Sequence, residues 1–139
     1  MSYLIDTNVL SELRKPAEKV DAGVKSWADS HAVHDQFLSA VTIFELELGI
    51  VLKSRRDGKQ AVRLREWLED QVKPTFEGRI LDFDARVAQA AAQLHATNPR
   101  PLGDSFIAAT ARVHGLTVVT RNERDFAQLN VPYVNPWLP

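Results

Sequence analysis

SYLIDTNVLSELRK, residues 2–15, sets a short apolar run, Tyr3-Leu4-Ile5, directly against three small polar residues, Asp6-Thr7-Asn8, before apolar spacing resumes at Val9, Leu10 and Leu13. The run has the length of a short buried strand. Asn8 to Lys15 has the spacing of a short helix that Pro16 brings to an end. Polar residues at such a junction either cap the helix or do chemistry at its mouth.

Outward from this junction the alternation continues. A helix is predicted within Val20 to His31, and QFLSAVT reads as a second buried strand around Phe37 to Ala40. That strand runs straight into TIFELELGIVLKS, a largely buried helix that Gly58 breaks. Gln60 to Val72 predicts a further helix, with Pro74 and Gly78 as punctuation after it. A brief RILDF segment leads to an alanine-rich helix from Asp84 to about Ala96. Ser105 to His114 is helical with Gly115 placed as a C-cap, and Thr117 to Val119 is a β-branched strand. VPYVNPWLP, residues 131–139, closes the chain as an edge strand and a proline-bounded tail.

Strands alternating with helices predict an α/β domain: a mostly parallel central sheet covered on both faces, since parallel neighbours need helical crossovers. One domain over residues 1–139 is the expectation, because a chain of this length with 45% hydrophobic residues can bury a core of its own. In open sheets of this kind ligands bind outside the carboxyl ends of the strands.

Composition narrows the chemistry. The absence of cysteine removes disulfides, thiolate zinc sites and cysteine nucleophiles, and fits a reducing compartment. No signal-like segment or bilayer-length apolar stretch is evident, so the expectation is a soluble, cytoplasmic protein. A net charge of -1 does not advertise nucleic-acid binding, but Lys53 to Arg65 holds six basic residues against one acid. Lys53, Arg55, Arg56 and Lys59 are its leading half, and either a solvated helix end or a phosphate-binding track accounts for them.

The polar residues at the strand ends carry more. Asp6 follows the first strand, Glu45 lies a few residues beyond the second, Asp104 starts the helix leading to the third, and Asn122 and Asp125 follow that third strand. Each alone has a capping explanation, and Thr42-Ile43-Phe44-Glu45 matches a T-x-x-E capping box. Together they gather carboxylates at one sheet edge, where mutual repulsion costs several kcal/mol per desolvated close pair. A divalent cation relieves that repulsion, and an oxygen-only donor set points to Mg²⁺ or Mn²⁺ rather than zinc. His31, His34, His95 and His114 lie away from these acids in sequence, and no G-x-S-x-G, P-loop or G-x-G-x-x-G setting occurs.

LIDTNVLSELRK, AVTIFELELGI, GDSFIAATARVHGLTVVTRNERDF and the closing VNPW together resemble a PIN-domain ribonuclease, in particular the VapC toxins of prokaryotic toxin-antitoxin pairs and their FitB-like relatives. The resemblance runs from Tyr3 to Trp137 and is weakest between Lys53 and Arg79. It implies a three-layer α/β/α sandwich. It also implies that Asp6, Glu45, Asp104 and Asp125 are the metal-binding and catalytic acids. Asn122 is an alternative to Asp125 through its carbonyl oxygen, and Asn8 and Thr120 would orient the acids. The implied activity is Mg²⁺-dependent (or Mn²⁺-dependent) endoribonuclease cleavage, in which metal-activated water hydrolyses an RNA phosphodiester. The implied partners are RNA, a VapB-type antitoxin and a second copy of the chain, with apolar positions in Val20 to Val33 and Thr42 to Leu52 available for a dimer face.

Two other readings stand beside this one. A receiver-type phosphoacceptor domain also places acids at the carboxyl edge of a parallel sheet, but its usual adjacent acids after the first strand are here Ile5-Asp6-Thr7. A catalytically silent domain of the same fold would hold a metal or partner without turnover.

Overall fold

In the computed structural model, which describes residues 1–137, five short strands build one parallel sheet in the order β3-β2-β1-β4-β5. β1 (Tyr3–Ile5) is central, flanked by β2 (Gln36–Ser39) and β4 (Thr117–Val119), with β3 (Ile80–Leu81) and β5 (Tyr133–Val134) at the edges. Every connection is a helical crossover, as parallel pairing requires. β1 leads to β2 through α1 (Thr7–Leu13) and α2 (Ala22–Ser30). α3 (Ala40–Ser54), α4 (Gly58–Trp67) and the short α5 (Lys73–Thr75) join β2 to β3. α6 (Ala85–Thr97) and α7 (Leu102–His114) join β3 to β4, and α8 (Glu123–Gln128) joins β4 to β5.

The pleat of the strands divides the core in two. Leu4 and Val118 face one side, where they pack with Val87, Ala91 and Leu94 of α6, Ile107 and Ala108 of α7, and Phe126 of α8. Their neighbours Ile5 and Val119 face the other, with Val9 and Leu10 of α1, Val24 of α2, Ile50 of α3, and Leu68 and Val72. Successive side chains of a strand point to opposite faces, so a strand covered on both sides reads as a continuous apolar run. That is why TVV and YLI carry no polar alternation. The three layers are helix, sheet and helix.

Three local details depart from the sequence reading. Gly58 does not break the helix that precedes it. α3 ends at Ser54, and Gly58 opens α4 behind Asp57, whose carboxylate caps Gln60 N at 3.1 Å. Pro74 does not end the next helix either. A single widened turn, Leu68–Val72, in which Lys73 N–H reaches back to Leu68 O, precedes it, and the helical path continues through α5. Proline lacks an N–H and crowds the carbonyl one turn back, and a wide turn is where a helix can accommodate both. Thirdly, α7 begins at Leu102, one turn earlier than the helix read from Ser105, so Asp104 lies within the first turn.

Gly115 is the left-handed residue that closes α7, with φ of 68°. The edge strand falls at Tyr133–Val134, while Leu138 and Pro139 of the expected tail lie outside the described residues. Among the described residues no helix is long and apolar enough to cross a membrane. The order of strands reverses direction at β1, which has β2 on one side and β4 on the other. In an open parallel sheet this is where a crevice forms above the carboxyl ends. A receiver-type sheet has the order 2-1-3-4-5 instead, so that alternative is corrected by topology.

Candidate active site

Asp6 stands at the carboxyl end of β1, over the switch point. Its Oδ1 accepts a hydrogen bond from Thr7 N at 2.8 Å, and its Oδ2 accepts one from the Thr120 hydroxyl at 2.7 Å. Three aspartates elsewhere are ordinary helix caps. Asp21, Asp57 and Asp84 each accept from the N–H three residues on, at Val24, Gln60 and Val87. Asp6 precedes α1 but does not make that bond, because its carboxylate is turned toward β4. Burial pushes its pKa up; the bonds from Thr120 and Thr7 N oppose the rise, and the charge of Glu45 adds to it.

Glu45 arrives from the second turn of α3. The capping-box reading fails here, because α3 is capped by Ser39, whose hydroxyl accepts from Val41 N at 3.0 Å, and Thr42 is buried inside the helix. Glu45 Oε1 instead accepts from the Thr7 hydroxyl at 2.6 Å, with the Thr42 hydroxyl 3.2 Å from the same oxygen of Thr7. Gly103 lies on its other side. A Cβ on that glycine would sit 2.9 Å from Glu45 Oε2, so the glycine admits the carboxylate between α3 and α7.

Asp104 is half-buried in the first turn of α7, where the N-terminal end of the helix dipole favours an anion. Even so its pKa is raised to about 7. Burial is the largest cause, followed by a hydrogen bond shared with Asp125 and by the charges of Asp6, Asp125 and Glu45. Asp104 thus reports the presence of the other three acids. Asp125 lies in the first turn of α8, and it is Asp125, not Asn122, that stands against Asp104. Asn122 caps α8 through its backbone and donates its N–H to Thr120 Oγ1 at 3.0 Å. Thr120 therefore ties Asp6 to the start of the α8 loop. Asn8 bridges the same two strand ends more loosely, with its Nδ2 3.4 Å from Asp6 Oδ2 and its Oδ1 accepting from Arg121 N at 3.3 Å.

The sequence profile described as "PIN domain" matches residues 3–132. The chain belongs to the PIN-domain family. It is 42% identical to "Toxin FitB" of Neisseria gonorrhoeae over 139 residues, covering 96% of this chain and 97% of the relative. It is 37% identical to "VapC ribonuclease Y4jK" of Sinorhizobium fredii, covering 98% of each. The crystal structure of FitAcB from Neisseria gonorrhoeae superposes with a TM-score of 0.85 at 40% identity, over 99% of both chains.

PIN-domain ribonucleases are metal-dependent as a class, so the donor set of this PIN domain can be tested for fit. Asp6, Glu45, Asp104 and Asp125 offer carboxylate oxygens only, and a cation would relieve the mutual repulsion that, after burial, helps hold the Asp104 proton. Among the described residues no three acidic or histidine side chains are drawn together closely enough to hold a metal by themselves. This agrees with an ion that keeps several waters and relies on one or two carboxylates and on substrate phosphate. The residues fit such an ion. Two of the histidines are engaged elsewhere: His31 stacks on Trp27 with ring centroids 4.2 Å apart, and His95 Nδ1 lies 3.0 Å from Ser105 Oγ.

Of the basic stretch, Lys53 joins Thr7, Ser11, Arg14 and Glu45 around a hollow of about 290 Å³ beside the acids. Arg55 and Arg56 lie in the solvent-exposed turn between α3 and α4, Lys59 lies in the first turn of α4, and none of the three lines it. Three residues of this neighbourhood are given no role at the site by the sequence alone: Thr7, which orients Glu45, Gly103, which makes room for it, and Arg100, whose Nη1 is 3.4 Å from Asp125 Oδ1. Thr7 was visible as the middle residue of the polar triplet. Arg100 sits between two prolines, a local constraint that marks a position held for a reason.

Proposed function

We propose that this PIN-domain protein is the toxin of a type II toxin-antitoxin pair, a metal-dependent endoribonuclease that hydrolyses RNA phosphodiester bonds. The observation that carries the reading is the gathering of four carboxylates at one crevice, from the end of β1, α3, α7 and α8, near enough that Asp6, Glu45 and Asp125 all act on Asp104. Its similarity to a VapC ribonuclease and to a FitB toxin supports both the chemistry and the biological role. The cation would be Mg²⁺ or Mn²⁺, taking one or two carboxylates from the set Asp6, Asp104, Asp125 and Glu45, with water and substrate phosphate completing its shell. Once bound, it supplies charge for the phosphate and lowers the pKa of the attacking water.

The chain's own groups divide the remaining work. Thr120 and Thr7 N hold the Asp6 carboxylate in one orientation, and the Thr7 hydroxyl fixes that of Glu45. Glu45, less buried than Asp6, is suited to accept a proton from the attacking water. Lys53 and Arg14 at the mouth of the hollow supply positive charge for the RNA backbone, with Arg55, Arg56 and Lys59 extending it along the surface. An acidic pocket is also complementary to a basic segment of an antitoxin, which would silence it by occupation.

A homodimer accompanies this reading. Phe44, Leu48, Val51 and Leu52 of α3 are exposed, with Val62 of α4. They form an apolar stripe of the kind a second copy covers. The Val20 to Val33 segment offers less, because Val24 is buried and Trp27 packs edge-on against Tyr3. Light scattering tests this directly: Leu48→Asp should convert a dimer to a monomer, and a monomeric wild type at high concentration removes the dimer. Acting on RNA, the protein would work in the cytoplasm.

Cleavage of a mixed pool of small structured RNAs, with and without Mg²⁺ or Mn²⁺, tests the activity beside Asp104→Asn. Metal-dependent products that the variant lacks support the nuclease. Silence of folded, partner-free wild-type protein in every condition supports the silent binding domain instead.

A further inference from the structure

Arg100 occupies a position that ion pairing alone does not explain. It lies in the four-residue link Asn98-Pro99-Arg100-Pro101 between α6 and α7. A proline on each side narrows the backbone there, since each ring fixes its own φ and the residue before a proline is driven to extended conformations. The link is also fastened to the far end of α8, where Asn98 Nδ2 donates to Gln128 O at 3.0 Å. The backbone that carries the guanidinium to the acidic crevice is therefore stiff.

What it does there is incomplete. Its Nη1 makes one long contact, 3.4 Å, to Asp125 Oδ1. Its Nε is buried and has no hydrogen-bond partner, the one such side-chain nitrogen or oxygen among the described residues. Arg65 shows what a settled ion pair looks like in this protein: both its terminal nitrogens bond Glu47, at 2.5 and 3.0 Å. Arg100 has the donors for a forked contact and no such acceptor. At 22% side-chain exposure it remains reachable from the crevice.

We propose that Arg100 is a substrate-binding residue whose unused donors take a phosphate oxygen of the RNA strand, beside the carboxylates of the crevice. The inference rests on the ribonuclease reading above. A planar guanidinium matches two phosphate oxygens, and a donor fixed in advance of binding loses little freedom on forming the contact. Asp125 parks the group between substrates, and a phosphate replaces that weak contact with a stronger one.

The test uses the full-length protein and a fluorescein-labelled single-stranded RNA in EDTA, with anisotropy followed across a KCl series. Arg100→Gln keeps an amide that can still reach Asp125 but removes the charge. Arg100→Lys keeps the charge without the fork. The Gln variant should bind at least about fivefold more weakly, with a slope of log affinity against log salt shallower by about 0.7, the single-strand value for one phosphate contact. The Lys variant should recover the slope but not the full affinity. Lys25→Ala, which removes a cation paired with Asp29 on the outside of α2, should change neither. In Mg²⁺ the Gln variant should raise KM more than it lowers kcat.

A Gln variant with wild-type affinity and slope, whatever its melting temperature, would overturn the proposal and leave Arg100 as a counter-ion of Asp125. Wild-type protein that neither binds nor cuts RNA would overturn the ribonuclease reading itself. The two failures are therefore distinct.

Discussion

The Thr120 hydroxyl donates to Asp6 Oδ2 at 2.7 Å across 114 positions of sequence, and both residues are buried. The bond joins the carboxyl ends of neighbouring strands, β1 and β4, and decides which way the Asp6 carboxylate faces. A buried acid that loses a donor keeps its desolvation cost, so this contact is structural and functional at once.

Thr120→Val should therefore destabilise the protein by about 1–3 kcal/mol, the usual effect of stranding a buried polar group. Cleavage should fall with it, while Thr120→Ser keeps most of both. Urea unfolding beside an RNA cleavage assay separates the two effects.

Gly103→Ala should split stability from activity. Alanine is the better helix former by about 1 kcal/mol, and the atom its Cβ would crowd is the far end of a flexible glutamate. The variant should melt at or above the wild-type temperature, yet cut RNA at least about tenfold more slowly because Glu45 is displaced. Normal activity would show that the position of Glu45 is not critical.

The pH dependence follows from the raised carboxyls. Asp104 holds its proton up to about 7 in the folded protein against 3.8 for a free aspartate, and Asp6 is raised in the same direction. Between those values these two groups bind more protons in the native state than in the unfolded one, so their contribution to metal-free stability is greatest at low pH and declines toward pH 7. Urea midpoints in EDTA should drop across that window from these groups, and Asp104→Asn should flatten the decline.

Adding Mg²⁺ should reverse that trend. A cation competes with the proton for the same oxygens, so the rise in melting temperature on adding Mg²⁺ should be larger at pH 8 than at pH 5. Asp104→Asn should lose most of this rise. An equal rise at both values would mean that the ion binds elsewhere.

Much of this arrangement is legible in the chain because apolar runs such as YLI and TVV are too short and too β-branched to be anything but buried strands, each followed at once by polar residues. The acids stand out because Asp6, Glu45 and Asp125 follow strands and Asp104 opens the helix that leads into β4. What hides is whatever depends on contacts between distant segments. TIFE carries the signature of a capping box, and only the packing of α3 shows Ser39 taking that duty and Glu45 turning inward. The choice between Asn122 and Asp125 likewise depends on where α7 meets α8. Pro74 misleads because a local rule about helix ends is overridden by a wide turn whose Leu68 and Val72 are anchored in the core.

The central place of β1 has a consequence for how the protein is made. β1 leaves the ribosome long before β4 and cannot complete its pairing until residues 117–119 have been synthesised. Asp6 waits on the same event for Thr120 and Asp125. Contacts of such long sequence separation form late. The acidic crevice is thus completed only once β4 and α8 have been synthesised.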